Sequence, residues 1–441
     1  MWVRKRLDIR WSDLGSGLRD CLTSWNRASL SDDLEDLWSA ADDAFACLSV
    51  RSGFDLWLQA LQLPVGSEVL VSAITIRDMV RIIEAHGLVP VPVDLEPDDL
   101  SIDVESLERA ITPRTRVILV AHLFGTRQPL EPILEIAERH GLFVAEDCAQ
   151  AFAGRHYTGH PEADVSMFSF GSIKTATALG GALLCVRGTQ ILGRMRQLQE
   201  TYPVQPRWSF AKRILKYSVM KLTSYGLPFG GLVGMMRLVG RDPEKFVTSL
   251  TRGFPGPQLL PLIRRQSSAP LLALMHRRIA FFNRRTLVRR IQCGQRLLSL
   301  LNGAVPSPGA SAEIHSFWVF PVMHDDRSRL IRRLLNAGFD ASRAHSLFAV
   351  PPPADRPDLR ATMAEAMLPL IVHLPCYREM PDSELRHLAD EVHACARPRA
   401  LRSPQTYVAR KKGKSSSASD SHTKSRSEVT PIGSRLQKGS P

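Results

Sequence analysis

The stretch that decides the fold is "EDCAQAFAGRHYTGHPEADVSMFSFGSIKTATALGGALL", residues 146–184. It opens on two acids, Glu146 and Asp147, which end the apolar run 142–147. Twenty-seven positions after Asp147 comes Lys174, between the apolar run 164–170 and a series of small residues. Apolar runs of this length that end on a charged residue are typical of buried strands, and ligands of α/β sheets lie beyond such strand ends.

The flanking sequence supplies more strands of the same kind. From residue 46 to about 190, apolar runs alternate with amphipathic stretches of helical length; the runs are 68–74, 88–94, 115–124, 142–147, 164–170 and 181–187. Two intervening stretches, 77–87 and 130–141, end on glycine, as helices often do. The alternation predicts an α/β fold with a mostly parallel sheet covered on both faces.

The remaining pattern predicts four parts: an N-terminal helical arm at 1–45, a large domain at 46–270, a helix and a small C-terminal domain at 271–400, and a tail at 401–441. Residues 271–301 are predicted to form one long, basic, amphipathic helix. The small α/β domain is predicted to contain a strand at 314–322, a helix at 327–338, a strand at 368–375 and a helix at 382–396.

The net charge of +13 is concentrated at one end of the chain. Residues 402–441 hold nine Lys/Arg against two Asp/Glu and almost no large apolar side chains, so this tail is predicted to be disordered. A basic tail could contact nucleic acid or anionic lipid, or simply be solvated, and we expect no specific nucleic-acid partner. The opening segment does not resemble a signal peptide, and the seven cysteines lack a CxxC pair. Neither a disulfide framework nor a zinc site is expected, which favours a cytoplasmic setting.

An apolar, glycine-rich insertion lies at about 200–260, and residues 214–240 are its most apolar part. The longest uncharged run there, 222–236, is fifteen residues and falls short of the ~20 needed to span a bilayer. The insertion could pack on a partner surface, form a lid, or make a peripheral membrane contact.

The strand-end positions of Lys174 and Asp147 suit covalent cofactor chemistry. Burial and neighbouring positive charge depress a lysine pKa, so amines that attack aldehydes lie at such positions. A buried carboxylate such as Asp147 needs a cation or several donors, and a protonated pyridine nitrogen would be such a cation. The alternatives are a solvated loop lysine and an aspartate that caps the next helix.

Three further features could complete a site for a phosphorylated pyridine. Gln150 lies one helical turn after Asp147 and could contact a ring hydroxyl or be the last member of a capping box. Ser52 and Gly53 are predicted to open a helix, whose amides would bind phosphate, although Ser52 and Asp55 also have the spacing of an ordinary capping box. Ser169, five residues before Lys174, could add a hydroxyl to the same phosphate or be an ordinary strand serine.

Taken together, these stretches resemble the DegT/DnrJ/StrS-type sugar aminotransferases over roughly residues 45–400. The similar segments are "RSGFDLWLQAL…GSEVLVSAITIRD", "VAEDCAQAFAG", "FSFGSIKTATALGGALL" and "MLPLIVHLP". The resemblance implies the fold of pyridoxal-phosphate-dependent transferases, which is aspartate aminotransferase-like, with a seven-stranded, mostly parallel sheet. It also implies a role for each site residue: Lys174 is the Schiff-base lysine, Asp147 the partner of the pyridine nitrogen and Gln150 the ring-hydroxyl contact, while Ser52, Gly53, Phe54 and Ser169 hold the phosphate and Ile76 covers the ring.

Two positions depart from the family pattern. Phe54 stands where the family usually has threonine, and Ile76 stands where it has an aromatic residue, so a phosphate hydroxyl and a ring-stacking face are lost. The family's segment that reaches the neighbouring subunit's site is only faintly recognisable at 259–268.

The resemblance implies amino transfer from an amino acid, by analogy glutamate, to a nucleotide-linked keto-sugar, in a homodimer without a metal. Candidate contacts for anionic substrate groups are Arg127, Arg264 and Arg265. Two alternatives remain: a sugar dehydratase on the same cofactor, whose branch replaces the lysine at position 174 with histidine, and a non-catalytic or membrane-associated protein on this fold.

Overall fold

The computed structural model describes residues 1–3, 6–223 and 258–396. Its α-helices, numbered in chain order, are α1 (Trp11–Leu22), α2 (Arg27–Trp38), α3 (Val50–Leu61), α4 (Arg77–Ala85), α5 (Val104–Ala110), α6 (Glu131–His140), α7 (Thr189–Glu200), α8 (Arg207–Thr223), α9 (Leu260–Ile263), α10 (Ala269–Ala280), α11 (Arg284–Leu301), α12 (Arg327–Asn336), α13 (Thr362–Met367) and α14 (Asp382–Cys395). Two 3₁₀ turns lie at Pro357–Leu359 and Leu368–Leu370. The strands are β1 (Ala44–Cys47), β2 (Glu68–Ser72), β3 (Ile74–Ile76), β4 (Val89–Val93), β5 (Thr115–Ala121), β6 (Thr126–Arg127), β7 (Phe143–Asp147), β8 (Val165–Ser169), β9 (Ala182–Val186), β10 (Ile314–His315), β11 (Phe320–Met323), β12 (Ser342–Arg343), β13 (Leu347–Ala349) and β14 (Ile371–Leu374).

The large domain is built on a seven-stranded sheet in the order β1-β9-β8-β7-β5-β2-β4. Strands β4, β2, β5, β7 and β8 are parallel to their neighbours in that series, and β9 pairs antiparallel with both β8 and β1. The predicted α/β fold with a mostly parallel seven-stranded sheet is therefore confirmed, and each of the six predicted strands is present.

The central strands form because both of their faces are covered. Val69, Leu70 and Val71 of β2 are all buried, so consecutive residues that point to opposite faces are both removed from water. The covering helices end as the sequence predicts: α6 stops at Gly141, which takes a left-handed φ of 62° and lets its amide reach the last turn.

Two elements that were predicted to be continuous are each divided in two in the structure. The long helix predicted at 271–301 is two helices, because the side chain of Asn283 accepts the Arg285 amide and starts α11 afresh after α10 has ended. The strand predicted at 314–322 is interrupted between β10 and β11. There Phe317 has a φ of +47° and its amide donates to Nδ1 of His315, a turn conformation that a ladder cannot contain.

The C-terminal unit is a three-stranded antiparallel sheet, in the order β11-β14-β12, packed on α11, α12 and α14. Two short antiparallel pairings join it to the large domain. Strand β13 pairs with β3 so that Leu347 lies opposite Ile76, and β10 pairs with β6 so that Ile314 lies opposite Arg127. Both pairings lie near the strand ends where a ligand is expected, so the C-terminal unit forms part of that edge.

The N-terminal segment contains α1 and α2, which pack on α10. Most of the predicted apolar insertion and all of the predicted tail at 401–441 lie outside the described residues. Among the helices of the described ranges, none is long and apolar enough to cross a membrane.

Candidate active site

The candidate site lies at the carboxyl edge of the parallel strands. Asp147 ends β7 and is paired with Met167 of β8, and Ser169 ends β8 two residues further on. Ser169 lies opposite Ala182 of β9, which in turn lies opposite Cys47 of β1, just before α3 begins. The sheet register thus brings the end of β7, the end of β8 and the N-terminus of α3 to one edge.

Asp147 places a carboxylate at the carboxyl end of β7. Its Oδ1 accepts the Ala149 amide at 2.9 Å. Burial raises the pKa of Asp147, although the Ala149 amide and the charges of Lys174, His122 and Arg51 oppose that rise. A cation placed against Oδ2 would therefore be favoured.

Gln150 is oriented by the chain turn that follows β5. Its Oε1 accepts the Phe124 amide at 2.9 Å, and Phe124 itself has a φ of +56°. Because the carbonyl oxygen of the side-chain amide is used in this way, the Nε2 group is the one left to donate. Gln150 can therefore donate a hydrogen bond beside Asp147. An oxygen on a cofactor ring would accept such a bond.

Lys174 lies in the turn after β8, where its amide donates to the Gly171 carbonyl. Its Nζ lies 4.1 Å from the centroid of the Trp318 ring. Trp318 is fixed in turn, since its Nε1 donates to the Ile173 carbonyl at 3.0 Å. Trp318 was not among the residues predicted from the sequence; it comes from the interrupted segment between β10 and β11, where the aromatic run "FWVF" was the available signal.

The N-terminus of α3 differs from the prediction. The helix begins at Val50 rather than near Ser52, and its N-cap is Ser49, whose Oγ accepts the Ser52 amide at 3.1 Å. The Gly53 amide already donates to the Ser49 carbonyl, and the Phe54 side chain is fully buried against Trp57.

The helix therefore opens with Val50 and Arg51, ahead of the predicted phosphate contacts Ser52, Gly53 and Phe54. Gly53 instead has a packing role inside the helix. A Cβ on that residue would lie 2.7 Å from both Cδ atoms of Leu184, so glycine is needed there for helix-to-sheet packing.

Arg51 brings a positive charge to the same end of α3. Its Nε donates to Oδ2 of Asp78 at 2.7 Å, and Asp78 lies in the first turn of α4, directly after Ile76 and Arg77. Ile76 is half-buried at the end of β3. The predicted ring contact and the unpredicted Arg51–Asp78 pair therefore occupy neighbouring positions on the carboxyl edge.

Glu146 and His122 form a buried network under this edge that was not predicted from the sequence. Oε1 of Glu146 accepts from His122 Nε2 at 2.8 Å and from the Tyr157 hydroxyl, and Oε2 accepts from the Ser166 hydroxyl at 2.5 Å and from the His160 amide at 2.9 Å. Although burial opposes it, these bonds hold the pKa of Glu146 well below its usual range.

The polar atoms of His122, Glu146 and Cys148 lie within 4.8 Å of one another, a spacing that would suit a metal ion. However, His122 Nδ1 accepts the Gln128 amide at 3.2 Å, so both ring nitrogens are already used. The group acts as a hydrogen-bond network that supports β7 from below.

Arg290 supports the loop after Lys174. Its Nη1 donates to the Thr175 hydroxyl at 3.1 Å and its Nε donates to the Ser316 carbonyl at 2.8 Å, while Nη2 is buried and has no partner among the described residues. Burial lowers the pKa of Arg290 to about 10. The arginine thereby ties the lysine loop to the segment that carries Trp318.

The three arginines considered for substrate contacts have different surroundings. Arg264 makes a two-pronged ion pair with Asp55, with both N–O distances at 2.9 Å, so it serves the fold rather than a ligand. The Arg127 guanidinium lies 3.8 Å from the centroid of the Tyr157 ring, close to the Glu146 network. Arg265 is half-buried and lies beside Arg264.

Residues 28–211 match the model of the DegT/DnrJ/EryC1/StrS aminotransferase family. A curated relative, GDP-perosamine synthase from Caulobacter vibrioides, is 35% identical over 159 residues, which is 35% of this chain and 43% of the relative. The chain thus spans less than half the length of that relative in the alignment.

Solved structures resemble the whole described fold. An aminotransferase, TlmJ, from Streptoalloteichus hindustanus is 20% identical with a TM-score of 0.61, covering 89% of this chain and 98% of that one. A sugar aminotransferase from Micromonospora echinospora is 18% identical with a TM-score of 0.60, covering 89% of this chain and 100% of that one. The fold is therefore shared over nearly all of the chain, and the resemblance predicted from the sequence is confirmed over residues 28–211 by the match to the DegT/DnrJ/EryC1/StrS aminotransferase family.

Proposed function

We propose that this protein is a pyridoxal-phosphate-dependent aminotransferase that transfers an amino group to a keto-sugar. The observation that carries the proposal is the convergence of Asp147, Gln150, Ser169 and Lys174 with the N-terminus of α3 at one sheet edge. This set supplies a carboxylate for a ring nitrogen, a donor for a ring oxygen, an anion-binding helix end and an amine.

The residues fit the cofactor at both of its ends. Asp147 Oδ2 would hold the protonated ring nitrogen, and Gln150 Nε2 would donate to the ring oxygen. The phosphate would lie on the amides of Val50 and Arg51 and on the Ser169 hydroxyl, where the helix dipole favours an anion. The Arg51 guanidinium would add a positive charge at this phosphate end.

Each protein group then has a defined task. Pyridoxal phosphate supplies, when bound, an electron sink for carbanion chemistry. Lys174 Nζ would hold the aldehyde carbon of the cofactor and would move a proton at the donor's α-carbon, as general base and then as general acid. Asp147 keeps the ring nitrogen protonated, and Trp318 sets the position of Lys174. Ile76 covers one face of the ring without the stacking that an aromatic residue provides.

The substrates follow by analogy. The Caulobacter relative is named for GDP-perosamine, a nucleotide-linked product, and we propose a nucleotide-linked keto-sugar as acceptor here and glutamate as the donor. We further propose that the protein acts as a homodimer in the cytoplasm, since in this family sites form at subunit interfaces. The lysine at position 174 speaks against the dehydratase alternative, in which histidine replaces it.

Absorption and covalent trapping test the proposal. The purified protein, supplied with pyridoxal phosphate, should absorb visible light, and borohydride should fix the cofactor to the Lys174 peptide as read by mass spectrometry. Lys174→Ala should retain cofactor non-covalently and lose the fixed peptide. Amino donors should then bleach the visible band of the parent protein only.

A matched control is Lys212→Ala, which removes an exposed lysine of α8 that is not part of the candidate site. That variant should behave as the parent. A parent that neither binds added cofactor nor traps it would favour the non-catalytic alternative, and an equal response from Lys174→Ala would refute the assignment of that lysine.

A further inference from the structure

Helices α1 and α8 form a continuous outer surface on the large domain. They run antiparallel: Arg207, at the start of α8, donates to the Thr23 carbonyl after α1 at 3.2 Å, and the Nζ of Lys221, near the end of α8, lies 5.8 Å from the centroid of the Trp11 ring at the start of α1. We call this surface the α1–α8 face; its apolar members are Trp11, Leu22, Trp25, Trp208, Leu215, Val219 and Leu222.

Helix α8 is apolar on its outward side as well as on its inward side. Phe210, Ile214 and Tyr217 are buried in the core, as an amphipathic helix requires. Yet Trp208 is 66% exposed, Leu215 55%, Val219 62% and Leu222 59%. Positions 208, 215, 219 and 222 fall on one side of a helix with 3.6 residues per turn, so the exposed residues form a stripe rather than scattered single contacts.

Helix α1 extends this stripe. Trp11 is 46% exposed and Leu22 is 73% exposed, and the two positions lie on one side of the helix, three turns apart. Trp25, in the connection that follows, is 41% exposed. Three tryptophans on one surface are notable because tryptophan favours the boundary between water and lipid acyl chains.

The charges of the α1–α8 face are of one sign. Residues 201–223 contain five Lys/Arg and no Asp or Glu. The two acids of α1, Asp13 and Asp20, are buried, and Asp13 pairs with Arg277 and Arg278 inside the protein. The exposed charges beside the stripe are therefore cationic, among them Lys212 and Lys216 of α8.

We propose that the α1–α8 face docks on an anionic membrane surface, with its tryptophans and aliphatic side chains in the headgroup region and its lysines against lipid phosphates. Exposed apolar side chains flanked by lysine are the features by which interfacial helices bind such surfaces. A second copy of the chain fits less well, because a symmetric contact would oppose lysines with lysines. Nucleic acid also fits less well, because the leucines and valine that make up most of the stripe on α8 offer no ring to stack on bases. The proposal is independent of the catalytic assignment.

Vesicle co-sedimentation of the full chain tests this. The parent protein should bind vesicles that are about a quarter phosphatidylglycerol in phosphatidylcholine, and binding should weaken with added salt because surface potential is screened. Lys212→Gln with Lys216→Gln should weaken binding about 30-fold, at about 1 kcal/mol for each cation near the surface. Leu215→Ser with Val219→Ser should also weaken it, and in a manner that low salt does not restore.

The matched control is Arg285→Gln with Arg289→Gln, which removes two exposed charges from α11 and should leave vesicle binding unchanged. Circular dichroism should show that each variant is folded. A parent that ignores anionic vesicles at low salt would overturn the proposal. So would equal binding by parent and face variants, or face variants that change only the oligomeric state seen by light scattering.

Discussion

At the scale of single residues, Glu146 and Asp147 show how one strand gives adjacent carboxylates opposite roles. Successive side chains of β7 point to opposite faces of the sheet. Glu146 faces the His122 network, whose donors hold its pKa well below the usual range. Asp147 faces the carboxyl edge, where burial raises its pKa. Glu146 is therefore an ionised residue with a structural role, whereas Asp147 is a carboxyl group whose ionised form a bound cation would stabilise.

The raised pKa of Asp147 predicts a pH dependence of cofactor binding. Burial raises the pKa of Asp147, so this carboxyl group ionises at a higher pH than an ordinary carboxyl group with a pKa of about 4. Because the ring cation requires the ionised carboxylate, cofactor affinity should increase as pH rises through that range. Fluorescence titration of the apoprotein at a series of pH values measures this.

The control is Asp147→Asn, which should flatten that limb of the pH profile and slow the half-reaction with an amino donor. Removing one partner of a buried pair costs about 3–5 kcal/mol, so we expect a loss of about 10²–10⁴-fold. A pH profile that Asp147→Asn leaves unaltered would assign the dependence to another group.

At the scale of elements, the sequence could predict six of the seven strands of the large sheet, all except β1, but not where a helix starts on that sheet. Apolar run lengths identified all six predicted strands, since burial on both faces leaves a signal in the chain itself. The predicted start of α3 is wrong because Ser49 and Ser52 are both acceptable N-caps locally. The structure uses Ser49 as the N-cap. In that helix Gly53 packs against Leu184, a contact between residues 131 positions apart.

The same limit applies to the site. Lys174, Asp147 and Gln150 could be predicted because each lies just after a recognisable strand, and strand ends of a parallel sheet meet at one edge. Arg290 and the Arg51–Asp78 pair come from helices with no strand signal, and Trp318 lies in a predicted strand that the structure interrupts. Their positions follow from tertiary packing alone.

Gly53→Ala tests the packing role of that glycine. The added Cβ would also lie 3.2 Å from the Cys47 sulfur, and both neighbours are fully buried, so overpacking should outweigh the gain in helix propensity. We expect a loss of about 1–2 kcal/mol in the free energy of unfolding, measured by urea denaturation.

Gly193→Ala is the matched control, because that glycine lies inside α7 with nothing within 4 Å of an added methyl, and it should stabilise by about 0.5–1 kcal/mol. Cofactor affinity per folded molecule should be unchanged in Gly53→Ala. A selective loss of cofactor affinity in Gly53→Ala would support the phosphate contact predicted for Gly53.

The pair of Arg264 with Asp55 fastens α9 to α3. Burial raises the pKa of Asp55, but the hydrogen bonds and charges of His86 and Arg264 outweigh burial, so the net pKa is lowered. Arg264→Gln should destabilise by about 2–3 kcal/mol, toward the lower end for a broken buried pair because the Arg264 side chain is 33% exposed.

The pH dependence of that loss follows from the lowered pKa. The stabilisation is present above the unfolded carboxyl value of about 4 and is lost as pH falls through the folded pKa, so parent and Arg264→Gln should converge in stability in acid. Urea denaturation at neutral and acidic pH measures both values. Arg265→Gln, one position away, should have little effect on stability at either pH. If it destabilises as much as Arg264→Gln, the ion pair of Arg264 with Asp55 is not the cause of the loss.

At the scale of the whole molecule, the C-terminal unit is joined to the large domain around the candidate site. Strand β13 pairs with β3 beside Ile76, β10 pairs with β6, and Trp318 holds the loop of Lys174. Units joined only by a linker can unfold separately, whereas units that share strand pairings and a ligand site should lose structure together.

Cofactor binding should therefore stabilise both units at once. A ligand at about 100 times its Kd adds about 2.7 kcal/mol to the folded state, and here the ordered edge belongs to both the large domain and the C-terminal unit. Calorimetry should show one transition that moves to higher temperature as a whole when pyridoxal phosphate is added, by a smaller amount in Asp147→Asn. Two transitions, of which only one responds to the cofactor, would mean that the pairings through β3 and β6 are too weak to couple the units, and that the edge closes only when substrate binds.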